Sequence, residues 1–123
     1  MKLSIVVPCY NEEENIPLIL QRFSEIIEDR DIEVVLVNNG STDGSAQVIA
    51  ELLPKYSFAR TTLVEVNQGY GFGIISGLKT CDGDYIGWTH ADMQTDPRDV
   101  ARAYDTIKRL CNDDPYLYLK GNR

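Results

Sequence analysis

Short apolar runs alternate with amphipathic stretches along most of the chain, and this alternation sets the expected architecture. Residues 3–7 are a β-branched run stopped by Pro8, the pattern of a strand buried on both faces. Ile16, Ile19, Leu20, Phe23, Ile26 and Ile27 then recur at helical spacing. Pro17 suits a first turn, so this helix starts at Asn11 or Asn15, with Glu12, Glu13 and Glu14 near the positive end of its dipole. Residues 32–37 repeat the strand pattern, and the turn cluster NNGSTDGS offers Asp43 as the cap of a second helix. That helix carries Val48, Ile49, Leu52 and Leu53 and ends at Pro54. A third strand is expected over 61–66, after which Gly69, Gly71 and Gly73 precede a short helix running to about Lys79. A fourth strand is expected over 84–89. Asp96 then caps, and Pro97 opens, a helix with Val100, Ala103, Tyr104, Ile107 and Leu110 on its apolar stripe. Residues 116–119 read as a fifth strand.

Strands alternating with helices imply an α/β fold: a mostly parallel sheet with helices on both faces. Ligands of such sheets bind outside the carboxyl ends of the strands. The unusual segments, Pro8-Cys9-Tyr10-Asn11-Glu12 and residues 38–43, 67–73 and 90–96, all follow strands, so one site built from four loops is expected. At 123 residues the chain makes one folding unit, 1–123, with a single core.

A net charge of −7 repels phosphate backbones, and no basic patch offsets it, so a nucleic-acid partner is not expected. An acidic protein that binds a nucleotide diphosphate needs an offsetting charge, and a divalent cation held by its own carboxylates supplies one. Cys9, Cys81 and Cys111 are odd in number and form no CxxC pair, which points to a reducing, cytoplasmic compartment rather than a disulfide framework. The N-terminal apolar run is shorter than a signal-peptide core, and no later run is long enough to span a bilayer.

The loop HADMQTDP spaces His90, Asp92 and Gln94 at alternate positions, so an extended backbone would point all three the same way, a cradle for one Mg²⁺ or Mn²⁺. The competing reading is a polar strand end leading into a helix cap, which accounts for Asp96 but not for Asp92. In PCYNEEEN, Tyr10 can pack against a nucleobase and Glu12 can accept hydrogen bonds from base or ribose, beside a rigid Pro8. Glu13 and Glu14 read more simply as complements to the helix dipole. Asn38 or Asn39 can pair with a base edge, although an ordinary turn would look similar. Gly69-Tyr70-Gly71-Phe72-Gly73 has the wrong spacing and place for a dinucleotide fingerprint, and reads instead as glycines that let a helix pack tightly beside a sugar or diphosphate. A phosphorylation-controlled receiver domain shares the length and acidity but needs acids after its first strand, where Pro8-Cys9-Tyr10 stands.

In order and spacing, IVVPCYNEEENI, VNNGSTDGS, NQGYGFGIISGLKTCDGDYI and HADMQTDP resemble the family-two glycosyltransferases, most closely the polyprenyl-phosphate sugar synthases. The resemblance implies an A-type, nucleotide-diphospho-sugar transferase fold, a UDP- or GDP-linked sugar donor, a divalent metal (Mn²⁺ or Mg²⁺), and inversion at the anomeric carbon. It places Pro8, Tyr10, Glu12, Asn38, Asn39, Gly69, Ala91 and Asp92 at the nucleotide, and Asp92, Gln94 and His90 at the metal. His90 stands where the family usually has Asp, and Asn38-Asn39 where it has an acidic pair. A lipid-phosphate acceptor would put the chain at the inner face of a membrane. The general base is expected beyond Arg123, because KGNR resembles the start of the acceptor half; the chain is therefore read as an N-terminal part. The alternative is a nucleotide-sugar-binding module without turnover.

Overall fold

A computed structural model describes residues 1–92, 96–110 and 119. Four strands, β1 (Leu3–Cys9), β2 (Ile32–Asn39), β3 (Ala59–Val64) and β4 (Tyr85–Trp88), form a sheet in the order β3-β2-β1-β4, and every pairing is parallel. Four helices, α1 (Ile16–Ile27), α2 (Ser45–Leu52), α3 (Tyr70–Leu78) and α4 (Pro97–Leu110), connect or follow them.

The pleat sorts the central strands into two cores. Leu3, Ile5, Val7, Val34 and Leu36 pack with residues of α1, α2 and α4, whereas Val6, Val35, Val37 and Val64 pack on the other face with Leu78 of α3. Both faces of β1 and β2 are therefore covered, which is why these strands read as unbroken apolar runs. On α1, Ile16, Ile19, Leu20 and Phe23 are all buried, one stripe at helical spacing. The change of face at α3 follows from handedness. The chain steps outward from β1 through β2 to β3 and then returns to the far side of β1, so a right-handed crossover must pass over the opposite face. The junction of β1 and β4 is thus the topological switch point.

Pro8 does not stop β1, which runs on to Cys9, and the hydrogen-bond directions explain this. Val6 O accepts the Thr89 N–H at 3.0 Å and Lys2 O accepts the Tyr85 N–H at 3.2 Å, so even-numbered residues of β1 turn their polar groups toward β4. Leu3 N–H reaches Asp31 O on the other side at 3.0 Å. The N–H that Pro8 lacks would therefore face β4, not β2. Pairing with β2 continues through Pro8↔Val37 and Cys9↔Asn38, while pairing with β4 ends at Val6↔Trp88.

Other boundaries also move. β3 begins and ends two residues earlier than expected, because Val64 pairs with Asn39, the last residue of β2, and leaves Glu65 and Val66 no neighbour. Gly71 and Gly73 lie inside α3 rather than before it. Of the expected α4 stripe, Val100, Tyr104 and Ile107 are buried and Ala103 and Leu110 only partly so, while Ala101, outside that stripe, is buried as well. Asp43 is not the cap of α2, which is Gly44; its Oδ1 instead accepts the Ser45 N–H at 2.9 Å and the Ser45 hydroxyl at 2.6 Å. Asp96 does cap α4, accepting the Arg98 N–H at 2.9 Å. The fifth strand expected over 116–119 lies outside the described residues apart from the isolated Leu119.

α3 sits close to the sheet because Gly77 has no side chain: a Cβ there would lie 2.5 Å from Val6 Cγ1 and 2.6 Å from Val37 Cγ2. Gly77→Ala is expected to lower the unfolding free energy by about 1–3 kcal/mol through overpacking, even though Ala favours helix by roughly 1 kcal/mol. Gly71→Ala, which meets nothing within 4 Å, is expected to cost nothing. Urea denaturation of the two variants checks the pair.

Candidate functional site

Two loops leave the carboxyl ends of β1 and β2 and are joined to each other. Asn11 adopts φ 53, a left-handed conformation that Asn tolerates better than most residues. Its side-chain Oδ1 accepts the N–H groups of Thr42 at 2.8 Å and Asp43 at 3.3 Å, and its own N–H donates to Ser41 Oγ at 3.1 Å. Glu12 N–H donates to Ser45 Oγ at 3.0 Å, and Glu13 Oε2 accepts the Gly44 N–H at 3.1 Å. The acidic run lies just before α1, which starts at Ile16 with no acid in its first turn. Glu13 ties one loop to the other. Burial pushes the Asp43 carboxyl up, but bonds from Ser45 and backbone N–H groups outweigh it and hold the group below its ordinary value.

Gly40 closes the second loop at φ 68, against the backbone of Asn67, where a Cβ would overlap the Asn67 nitrogen. This contact brings the segment after β3 to the same sheet edge, and α3 then starts at Tyr70 over the end of β2. The segment after β4 completes the edge. Because Pro8 offers no donor, the ladder does not extend past Thr89. Ala91 and Asp92 therefore lie in a bend rather than in the extended run expected of His90, Asp92 and Gln94. Gln94 lies outside the described residues.

The four segments enclose a cleft of about 220 Å³ at the switch point. Pro8, Cys9, Tyr10 and Glu12 form one wall; His90, Ala91 and Asp92 form the other; Asn39 and Tyr70 close the back. Six of the eight residues expected at a nucleotide are here. The exceptions have a structural reason. Asn38 and Asn39 are consecutive in β2, so they face opposite sides of the sheet. Asn38 is buried on the α1 side, where its Oδ1 accepts the Ser41 N–H at 3.2 Å and shapes the turn. Gly69 acts through its carbonyl, which accepts the Asn39 Nδ2–H at 3.2 Å. Asn39 itself is 3% exposed, and its Oδ1 has no hydrogen-bond partner. Gly73 leaves room for this side chain, since a Cβ there would stand 2.7 Å from Asn39 Nδ2.

Tyr10 is 47% exposed, offering a ring face at the mouth of the cleft. Glu12 Oε2 accepts Asn15 Nδ2–H at 2.7 Å, which fixes its carboxylate. Cys9 is buried, and burial, with a smaller contribution from the Glu12 charge, pushes its thiol up to about 12, so it acts as an apolar wall. Nothing in the sequence GYGFG marks Tyr70, yet its hydroxyl lies 2.8 Å from His90 Nδ1.

Among the described residues the cleft is lined by the carboxylates Glu12 and Asp92 and by no Lys or Arg. A cation would offset the charge of a diphosphate placed there. Among the described residues no group of three or more His, Cys, Asp or Glu side chains forms a cage for one. An exposed Asp92 carboxylate fits a cation that takes most of its other ligands from phosphate oxygens and water.

The family model for glycosyl transferase family 2 matches residues 4–116. The chain belongs to that family. Family-2 relatives include an undecaprenyl-phosphate 4-deoxy-4-formamido-L-arabinose transferase from Pseudomonas fluorescens (strain Pf0-1), 35% identical over 98% of this chain and 36% of that protein. Among solved structures, S. aureus TarS 1–349 in complex with UDP-GlcNAc superposes with a TM-score of 0.69 at 25% identity, over 89% of this chain and 32% of that one. Glucosyl-3-phosphoglycerate synthase from Mycobacterium tuberculosis, in complex with Mn²⁺, UDP and glucosyl-3-phosphoglycerate, superposes with a TM-score of 0.60 at 25% identity, over 74% and 33%. The chain spans about a third of the length of these relatives. The fold is accordingly the A-type glycosyltransferase fold in part, with the cleft at the sheet edge.

Asn11 is expected to organise this family-2 cleft. Asn11→Ala removes the acceptor and leaves a β-carbon at positive φ, at a cost of about 1–2 kcal/mol in unfolding free energy. Asn11→Asp, which keeps an acceptor oxygen in place, stays closest to the parent chain in the same denaturation experiment.

Proposed function

We propose that the cleft binds the nucleotide of a UDP- or GDP-linked sugar and that this domain serves metal-assisted transfer of the sugar to an acceptor, with inversion. The observation that carries the reading is Asn39 Oδ1, a buried acceptor without a partner on the wall of an open cleft. A buried orphan acceptor costs stability unless a ligand supplies the donor. Uracil and guanine each carry a ring N–H for it, whereas adenine and cytosine carry none at the equivalent position. Tyr10 stacks on the base, Glu12 accepts from the ribose, and the diphosphate lies toward Ala91 and Asp92.

Asp92 would hold the cation, with Gln94 as a further ligand. The cation supplies charge stabilisation to the departing diphosphate. This chain's own residues orient the donor and screen its base from water. The UDP complexes of the two structural neighbours favour uridine. The undecaprenyl-phosphate relative favours a polyprenyl-phosphate acceptor, reached at a cytoplasmic membrane face. An anionic phosphate acceptor needs less help from a general base, which on this reading belongs to sequence outside 1–123. No helix among the described residues is long and apolar enough to cross a membrane.

Calorimetric titration of UDP and GDP into the chain with Mn²⁺ or Mg²⁺ tests the proposal. Binding is expected to require the cation, to fall at least tenfold in Asp92→Ala, and to fall in Asn39→Leu, which fills the space without an acceptor. Absence of binding to the folded chain, or binding indifferent to Asp92 and Asn39, would overturn it.

A further inference from the structure

Tyr70 and His90 meet across the cleft. Tyr70 is the first residue of α3, after Gly69, and His90 follows β4. The phenol oxygen and Nδ1 are 2.8 Å apart, and the two rings are nearly parallel, 12° between planes with centroids 5.6 Å apart. Both side chains line the cleft. A phenol hydroxyl is a good donor, and an unprotonated imidazole nitrogen is a far better acceptor than a phenol oxygen. The hydrogen bond to one imidazole nitrogen decides which nitrogen carries the proton. With Nδ1 accepting from Tyr70, the proton of the neutral ring sits on Nε2, and a protonated nitrogen cannot ligate a metal.

We propose that Tyr70 is a positioning residue: its hydroxyl donates to His90 Nδ1, fixes the Nε2–H tautomer, and so makes His90 a hydrogen-bond donor to the nucleotide's diphosphate rather than a cation ligand. Among the described residues the cleft has two carboxylates and no Lys or Arg, so an N–H donor is the chemistry they most lack for holding phosphate oxygens. Within the described residues, Asp92 is then the sole carboxylate ligand of the cation beside the diphosphate. The inference rests on the donor-site reading above, and its test separates the two.

His90 is the only histidine in the chain, so its ring nitrogens give unambiguous ¹⁵N signals. In the unliganded chain, at a pH where imidazole is neutral, Nδ1 is expected to show the unprotonated shift and Nε2 the protonated one. Tyr70→Phe is expected to relax this toward a tautomer mixture. In UDP titrations with Mg²⁺, Tyr70→Phe is expected to weaken binding about 3- to 10-fold, the worth of one hydrogen bond. In a His90→Ala background the same change is expected to do nothing. His90→Gln, which presents an amide N–H at a comparable reach, is expected to recover part of the loss seen in His90→Ala. A protonated Nδ1 in the unliganded chain overturns the inference, as does a Tyr70→Phe effect that persists undiminished without His90. If UDP and GDP fail to bind the parent chain, the donor-site reading falls and the diphosphate role with it, while the tautomer measurement still decides the Tyr70–His90 link.

Discussion

The missing N–H of Pro8 is the constraint on which the site depends. On β1, Leu3 to Val6 pair on both sides. At Pro8 the bond toward β4 cannot form, while the bonds toward β2 are unaffected. β1 therefore continues as a strand with one neighbour, and the chain after β4 turns away. The gap opens at the switch point of the sheet order, where the two connections leave on opposite faces, and it is walled by His90, Ala91 and Asp92 on the side that turned. A residue that reads in sequence as a strand terminator ends one ladder of the strand, and the cleft is the consequence.

The elements around that gap are held by contacts of two kinds. Below it, close packing sets distances, with Gly77 letting α3 settle on Val6 and Val37. At its rim, polar contacts between loops do so, with Asn11 and Glu13 taking the N–H groups of residues 42–44. Far from the cleft, at the amino ends of the strands, Glu33 bonds Ser4 and Arg60. Burial pushes the Glu33 carboxyl up, but these bonds and the charges of Arg60 and Lys2 prevail and keep it below its ordinary value. That cluster fastens three strands together.

Much of this was legible in the amino-acid order. The apolar runs mark the strands, helical spacing marks the buried stripe of α1, and Pro8, Tyr10, Glu12, Asn39, His90, Ala91 and Asp92 do meet in one cleft. What stayed hidden depends on partners distant in sequence. The end of β3 is set by where β2 stops, and the bend at Ala91 by a donor missing more than eighty residues earlier. Asn38 and Asn39 look alike in a turn cluster, and only the pleat of β2 sends one to the cleft and the other to the turn. Tyr70 lies inside a glycine-rich segment with no pattern to single it out, and its relation to His90 exists only once α3 and β4 are adjacent.

The central claim is that the nucleotide occupies the cleft beside Pro8. Chemical-shift mapping of ¹⁵N-labelled chain on titration with UDP and Mg²⁺ tests it most directly. The account predicts that the large changes fall on Cys9 to Glu12, on the Asn39 side-chain amide, on Gly69 and Tyr70, and on His90 to Asp92. Changes centred instead on a shallow cleft at the opposite end of the sheet, lined by Lys2, Glu33 and Arg60, or no changes at all, would contradict it.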